Sequence, residues 1–439
     1  MKDYQSIYKN KLIRIEQAVE KIQSDTDNII AMCASEPQGV LAKMHLAAPN
    51  VKNVNIFACL PLKPYEFFMN PGMRKHFTLC SWFHAPGARC ALKEKTGTVT
   101  YVPNHLHRAA TDRLYVKKPH IFFGTCTPID SKGFVSLSLS ITYEKEIIES
   151  ADLVILEVNK NLPRTFGDTH LHVEDVSFFV ENHQEVPALP VAIPDEIEQK
   201  IGEQIATLID DGSTIQLGIG AIPNACALSL KNKKNLGVHT EMLVDAMVDL
   251  YEMGVINNKK KSFMKDKFIC TFAMGSKKLY DWLDNNPAVE FRRGKWVNDP
   301  CTIRNNSQMV SINTCIAVDL TGQVASESIG LAQYSGTGGQ TDTAVGAREG
   351  LDGLGKSIIA CRSTAKNGEL STIVMAHTLG TAITLHRSNT DFIVTEYGIA
   401  SLRGRSVEER ALALINIAHP KFREELTKQA RDLGYLLKD

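Results

Sequence analysis

The chain lacks an excess of either charge: 49 Lys and Arg against 49 Asp and Glu in 439 residues leave a net charge of zero. With no global field to draw a polyanion, nucleic acid and anionic membranes are excluded as principal partners. It also lacks any apolar run near the roughly 18 residues that a bilayer-spanning helix needs. The opening Met1-Lys-Asp-Tyr4 has none of the apolar stretch of a secretory signal, so a cytoplasmic location is the simplest expectation. There is no CxxC and no Cys/His cluster at zinc-ligand spacing. The ten cysteines (33, 59, 80, 90, 126, 226, 270, 301, 315 and 361) are scattered and read as reduced, mostly buried thiols. What is present is ordinary globular composition, 44% hydrophobic and 22% charged, which excludes disorder. The length suits two large domains, or about three of ~150 residues.

Short β-rich runs at 28–33, 54–60, 120–125, 152–158, 214–217, 268–272, 309–318, 357–360 and 392–395 alternate with helical patterns such as 407–416. That alternation predicts an α/β fold with mainly parallel sheets. The chain also repeats itself. Thr125-Cys126-x-x-Ile129-Asp130-x-x-Gly133-x-Val135 returns as Thr314-Cys315-x-x-Val318-Asp319-x-x-Gly322-x-Val324. Asp152 to Glu157 resembles Asp391 to Glu396, and Ile29-Ile30 with Pro37 has a fainter counterpart in Ile215-Gln216 with Pro223. The preserved order predicts two related α/β halves by internal duplication. Three prolines in 187–194 form a semi-rigid linker, which divides the chain into domains 1–190 and 191–439.

Three segments could carry chemistry. Thr214 to Leu217 followed by Gly218-Ile219-Gly220-Ala221-Ile222-Pro223 reads as a strand, a tight turn and a helix with Pro in its first turn, whose amides favour an anion. A dinucleotide site is the rival reading, with Glu241 near the position of a ribose-binding acid, but Pro223 occupies the place of the third glycine. Tyr334-Ser-Gly336-Thr337-Gly338-Gly339-Gln340-Thr-Asp342 sets three glycines in four positions, a density found where backbone must approach a ligand. Ser335, Thr337 and Gln340 are candidate donors there, and exposed amides could stabilise an oxyanion. In His239-Thr-Glu241-Met242 a carboxylate stands before an apolar-periodic helix; alone, the segment favours a plain helix-start role for Glu241 and a structural one for His239. His105 and His107 would alternate on one strand face.

Taken with Pro103-Asn-His105, Pro163-Arg-Thr165, Gly167-Asp168, Ser363-Thr-Ala-Lys366, Thr395-Glu-Tyr-Gly398 and Leu402-Arg-Gly404, these segments resemble the acetyl-CoA hydrolase/transferase family, in particular its 4-hydroxybutyrate and butyrate coenzyme A transferases. The resemblance implies two homologous halves with the active site at their interface, and the catalytic glutamate at Glu241 in the second. It implies CoA contacts at Gly218, Ile219, Gly220, Ala221 and Ile222, at Gly338 and Gly339 of the glycine loop, and at Lys366. The chain departs from the family pattern at Met32-Cys33 and Phe166, and at Thr343, where an aromatic residue is common. Met32, Cys33 and Phe166 are therefore expected in the acyl pocket.

The implied activity is transfer of CoA from a short-chain acyl-CoA to a short-chain carboxylate (butyrate, 4-hydroxybutyrate, acetate or a small dicarboxylate). It would run by ping-pong through a glutamyl-CoA thioester; a hydrolase using the same glutamate is the alternative. No metal or tightly bound cofactor is implied, CoA being a substrate, and a homo-oligomer is expected. The chemistry suits the residue: preserving thioester energy calls for a covalent carrier and exclusion of water.

Overall fold

The computed structural model describes residues 3–218 and 220–437. The chain separates into two compact units, Met1–Pro190 with Ile269–Val297, and Val191–Phe268 with Asn298–Asp439. Both are α/β, and their large sheets are parallel apart from one edge strand.

In the first unit seven parallel strands follow the order Val99–Tyr101, Phe77–Phe83, Val54–Cys59, Asp27–Ile30, Ile121–Cys126, Leu153–Val158, Phe178–Glu181. Central strands such as Ile121–Cys126 are buried at every residue, as expected when helices cover both faces of a parallel sheet. Ile30, Ile56, Leu79 and Phe123 pack there with Val40 and Leu41 of the helix Gln38–Lys43 and with Ala88 and Ala91 of the helix Pro86–Lys93.

The segment Ile269–Val297 joins this unit through non-local contacts. Ser140 bridges Phe272, Gly167 bridges Phe291, and the Arg293 guanidinium pairs with Glu149 at 2.6 Å. Such contacts leave no mark in local composition.

In the second unit six strands follow the order Gly237–Val238, Thr214–Leu217, Met309–Thr314, Lys356–Ala360, Phe392–Thr395, Gly398–Ser401, with only the last pair antiparallel. The helix Glu196–Thr207 is started by a capping box between Asp195 and Glu198. The helix Ala221–Ser229 follows Thr214–Leu217 and carries Pro223 in its first turn, as its sequence predicts.

The repeated motif folds alike in both units. After Ile121–Cys126, Asp130 Oδ1 accepts from the amides of Lys132 and Phe134 at 2.8 and 2.9 Å, and Gly133 N donates to Asp130 O. After Met309–Thr314, Asp319 Oδ1 accepts from the amides of Thr321 and Gln323 at 2.9 and 3.0 Å, and Gly322 N donates to Asp319 O. The likeness of Asp152–Glu157 to Asp391–Glu396 is not such a correspondence. Leu153–Val158 pairs directly with Ile121–Cys126, whereas Lys356–Ala360 stands between Met309–Thr314 and Phe392–Thr395. Burial of both strands selected similar apolar residues.

Two further expectations are corrected. The run 309–318 breaks at Cys315-Ile316 into Met309–Thr314 and Ala317–Asp319. His105 and His107 flank and enter the short 3-10 turn Leu106–Arg108, so they do not alternate along a strand.

The two aspartate turns differ in burial. Asp319 is 4% exposed and also accepts from Thr321 Oγ1 and Gln323 Nε2, while the Asp130 carboxylate is about one-third exposed. Asp319→Ala should therefore destabilise the fold by about 2–4 kcal/mol and Asp130→Ala by clearly less. Urea titration of both variants checks the order; equal losses would show that burial of the turn does not matter.

Candidate active site

Glu241 lies between the short strands Gly237–Val238 and Met242–Leu243. It stands four residues before the helix Asp245–Glu252, so it does not serve as a residue of that helix's first turn. Its carboxylate meets two groups from distant parts of the same unit. Asn298 Nδ2 donates to Oε2 at 2.6 Å. Beside both stands Gly339, the residue immediately before the helix Gln340–Arg348. A Cβ on Gly339 would overlap Glu241 Oε2 and Asn298 Nδ2, and would lie 3.0 Å from Glu241 Cδ. Only a residue without a side chain lets this carboxylate rest against the loop.

Burial pushes the Glu241 carboxyl up to about 7, with the Asp342 charge acting in the same direction and the Asn298 hydrogen bond acting against both. A raised value alone does not single the residue out. Glu36 is also pushed up to about 7 by burial, against hydrogen bonds from Tyr65 Oη and Leu62 N, but it is 2% exposed and held by both donors. Glu241 is partly accessible as a residue while its carboxyl end is buried, and that end meets a glycine loop. Glu396 is tied down by Ser363, through its amide at 2.9 Å and its hydroxyl at 2.5 Å.

The glycine loop is anchored by a residue that its own sequence does not reveal. Glu327 O accepts from Tyr334 N and Ser335 N at 2.8 and 3.0 Å, and its carboxylate accepts from Thr337 Oγ1 at 3.2 Å and Thr384 Oγ1 at 3.1 Å. Ser335 Oγ donates to Ser326 O, and Gln340 Nε2 to Thr314 O at 3.0 Å. The three candidate donors of the loop are thus engaged with the scaffold, a correction to their reading as ligand donors. Buried acceptors remain: among the described residues Asn298 Oδ1 and Gln340 Oε1 have no hydrogen-bond partner. Thr343, at the family-variable position, is buried between Asn313 Nδ2 at 3.1 Å and Gln340 O.

The turn after Thr214–Leu217 requires glycine at one position for its backbone. Gly220 has φ 124° and ψ −178°, a conformation reserved for glycine. No side chain caps the helix Ala221–Ser229. Ile222 is buried, Gly218 and Ala221 are partly so, and Ile219 lies outside the described residues. Lys366 is exposed at the tip of the hairpin formed by Thr364–Ala365 and Leu370–Ser371. Met32, Cys33 and Phe166 belong to the first unit. Met32 N donates to buried Glu144 at 3.0 Å, and Cys33 has φ 51° and is 3% exposed. Phe166 O accepts from Phe291 N, and its ring lies 6.1 Å from that of His170.

Of the residues singled out from sequence, Glu241 and Gly339 are brought into contact. Asn298, 57 positions from Glu241, gave no signal because no local spacing encodes that pair. Among the described residues, no group of three or more His, Cys, Asp or Glu is placed to hold a metal ion, and no helix is long and apolar enough to cross a membrane.

Comparison with known proteins is decisive for the family. Residues 1–191 match the acetyl-CoA hydrolase/transferase N-terminal domain, and residues 275–430 the corresponding C-terminal domain. The chain belongs to the acetyl-CoA hydrolase/transferase family. It is 43% identical to 4-hydroxybutyrate coenzyme A transferase of Clostridium kluyveri, over 97% of this chain and 99% of that one. It is 36% identical to succinyl-CoA:cyclohexane-1-carboxylate CoA transferase of Geobacter metallireducens, over 99% and 98%. The crystal structure of RipA from Yersinia pestis superposes with a TM-score of 0.90 at 33% identity, over 99% of this chain and all of that one. Acetyl-CoA hydrolase of Kluyveromyces lactis matches less closely, at 26% identity over 69% and 64%.

A raised carboxyl carries a stability cost of definite sign. The folded state holds the Glu241 proton to about pH 7 against an ordinary 4.5, so stability is full below about 4.5 and is lost as pH rises through 7. Glu241→Gln should therefore stabilise the protein by up to about 3 kcal/mol at pH 8 and hardly at pH 5. Thermal melts at the two pH values check it; equal gains at both would contradict the burial of this carboxyl.

Proposed function

We propose that the protein is a coenzyme A transferase that moves CoA between a short-chain acyl-CoA and a short-chain carboxylate, with Glu241 as the covalent carrier. The observation that carries this reading is the carboxylate of Glu241 resting against bare Gly339 and held by Asn298 at 2.6 Å. The names of its full-length relatives, CoA transferases at 36–43% identity, support the reaction class.

In this mechanism Glu241 attacks the acyl-CoA carbonyl, giving an acyl-glutamyl anhydride and CoA thiolate. The thiolate then attacks the glutamyl carbonyl, so that a glutamyl-CoA thioester forms and the first acid leaves; an incoming carboxylate reverses both steps. Asn298 is assigned to orient the nucleophile, and the amides of Gly338 and Gly339 to stabilise the developing oxyanion, where each donor would contribute about 3 kcal/mol. Holding the reactants together supplies on the order of 7–11 kcal/mol.

CoA as a substrate is assigned to the turn Gly218 to Ile222, with the uncapped helix start as an anion site, and to Gly338, Gly339 and exposed Lys366. Met32, Cys33 and Phe166 are assigned to the acyl pocket, and butyrate, 4-hydroxybutyrate, acetate and small dicarboxylates are the candidate acids. The reading includes a cytoplasmic homo-oligomer.

The test is a panel of acyl-CoA donors against carboxylate acceptors with free thiol followed throughout. Product without thiol release and ping-pong kinetics are expected; thiol release equal to acid formed would mark a hydrolase. Glu241→Gln should lower kcat at least about 10⁴-fold while leaving CoA affinity near normal. Because the ionised carboxyl is the nucleophile, kcat/KM should fall about tenfold per unit as pH drops below about 7. Cys33→His, at a backbone conformation that His tolerates, should shift the butyrate to 4-hydroxybutyrate ratio of kcat/KM by about tenfold or more. An unchanged ratio would remove Cys33 from the acyl pocket.

A further inference from the structure

Two thiols that the proposed reaction does not use stand side by side at the ends of neighbouring strands. Met309–Thr314 and Lys356–Ala360 are parallel and in register, with Thr314 opposite Ala360. Cys315 N donates to Ala360 O at 3.2 Å and closes this last pair. Cys315 and Cys361 each follow it by one residue, so the two thiols stand at adjoining strand ends. The two thiols are close enough to perturb one another's titration, and Cys361 Sγ lies 3.7 Å from Thr372 Oγ1. Adjacent strands lie about 4.8 Å apart, inside the roughly 4.4–6.8 Å of Cα separation that a disulfide bridges. A disulfide also needs Cβ atoms about 3.5–4.5 Å apart, closer than the strand spacing, so joining the pair draws the two strand ends together. Cys361 is 3% exposed, and Cys315 is partly buried against the core of this unit.

The same strand end supports the glycine loop. Thr314 O, one residue before Cys315, accepts from Gln340 Nε2, and Gln340 directly follows the Gly339 that meets Glu241. We propose that Cys315 and Cys361 form a redox-active dithiol that a hydroperoxide oxidises to a disulfide, and that closing it disturbs the anchorage of the glycine loop. The Cys361 sulfur attacks the O–O bond and becomes a sulfenic acid as the far oxygen leaves as water or alcohol. The Cys315 sulfur then displaces the hydroxyl as a second water. Two thiols lose two electrons and two protons, and the peroxide takes up both. Cys361 Sγ lies beside the Thr372 hydroxyl, a donor that stabilises a thiolate and favours Cys361 as the attacking sulfur.

The cross-link is independent of the CoA-transfer reading; only its effect on rate rests on that reading. Wild-type protein treated with hydrogen peroxide, alkylated and digested without reductant should yield one peptide pair joined through Cys315 and Cys361, lighter by two hydrogens. CoA-transfer rate should fall by about tenfold or more with cross-linking, since a misplaced reacting group is that costly, and recover with dithiothreitol. Cys361→Ser should neither cross-link nor lose rate. Phenylarsine oxide, which condenses with two adjacent thiols and releases water, should bind wild type with one equivalent more than Cys361→Ser. Oxidation confined to exposed Cys90 and Cys301, with equal arsenical uptake by both proteins, would overturn the dithiol. A cross-link that leaves the transfer rate unchanged would overturn its link to the loop, and cross-linking in a protein that never transfers CoA would count against the functional reading alone.

Discussion

The second unit depends on keeping one carboxylate against bare backbone. Glu241 Oε2 takes the amide donor of Asn298 and lies against Gly339, and a methyl group on Gly339 would collide with both side chains. Desolvation there opposes ionisation and lifts the carboxyl to about 7. That environment costs stability at neutral pH and keeps the carboxylate poorly solvated, which suits a weak nucleophile. Both effects follow from one packing arrangement, so the glycine, the amide and the acid form a single unit in which no member can be changed independently.

The fold supplies that arrangement from the C-terminal ends of parallel strands, where loops gather in sheets of this kind. Gly218 follows one such strand, the His239-Thr240-Glu241 segment follows its neighbour, and Thr314 ends the next and holds Gln340. Glu327 holds the glycine loop through three of its residues, Tyr334, Ser335 and Thr337, so its backbone is set before any ligand arrives. The duplicated aspartate turns show how the same scaffold was used twice: carboxylate, glycine and amide donors recur in the same roles, while only the second unit carries the glutamate and the glycine loop.

Much of this was legible along the chain. Strong apolar runs identified the central strands, because burial on both faces leaves a continuous signal, and the repeated Asp-x-x-Gly motif reported a real structural repeat. Three glycines in four positions pointed to backbone approaching a ligand, and one of them, Gly339, meets the side chains of Glu241 and Asn298. What stayed hidden was non-local. Asn298 and Glu327 act through partners far away or through backbone groups, and no spacing rule anticipates them. Ile269–Val297 packs with the first unit for the same reason. The hydroxyls of Ser335 and Thr337 looked like ligand donors because sequence shows that a donor exists, not which acceptor already holds it.

The most direct measurement is to trap the covalent state. Protein incubated with acyl-CoA alone, reduced with borohydride and mapped by mass spectrometry should carry its modification on Glu241 and nowhere else, because a glutamyl-CoA thioester is the species that persists without an acceptor. Modification of Glu36 or Glu396 instead, or no modification while CoA transfer proceeds, would contradict the assignment of Glu241 as the nucleophile.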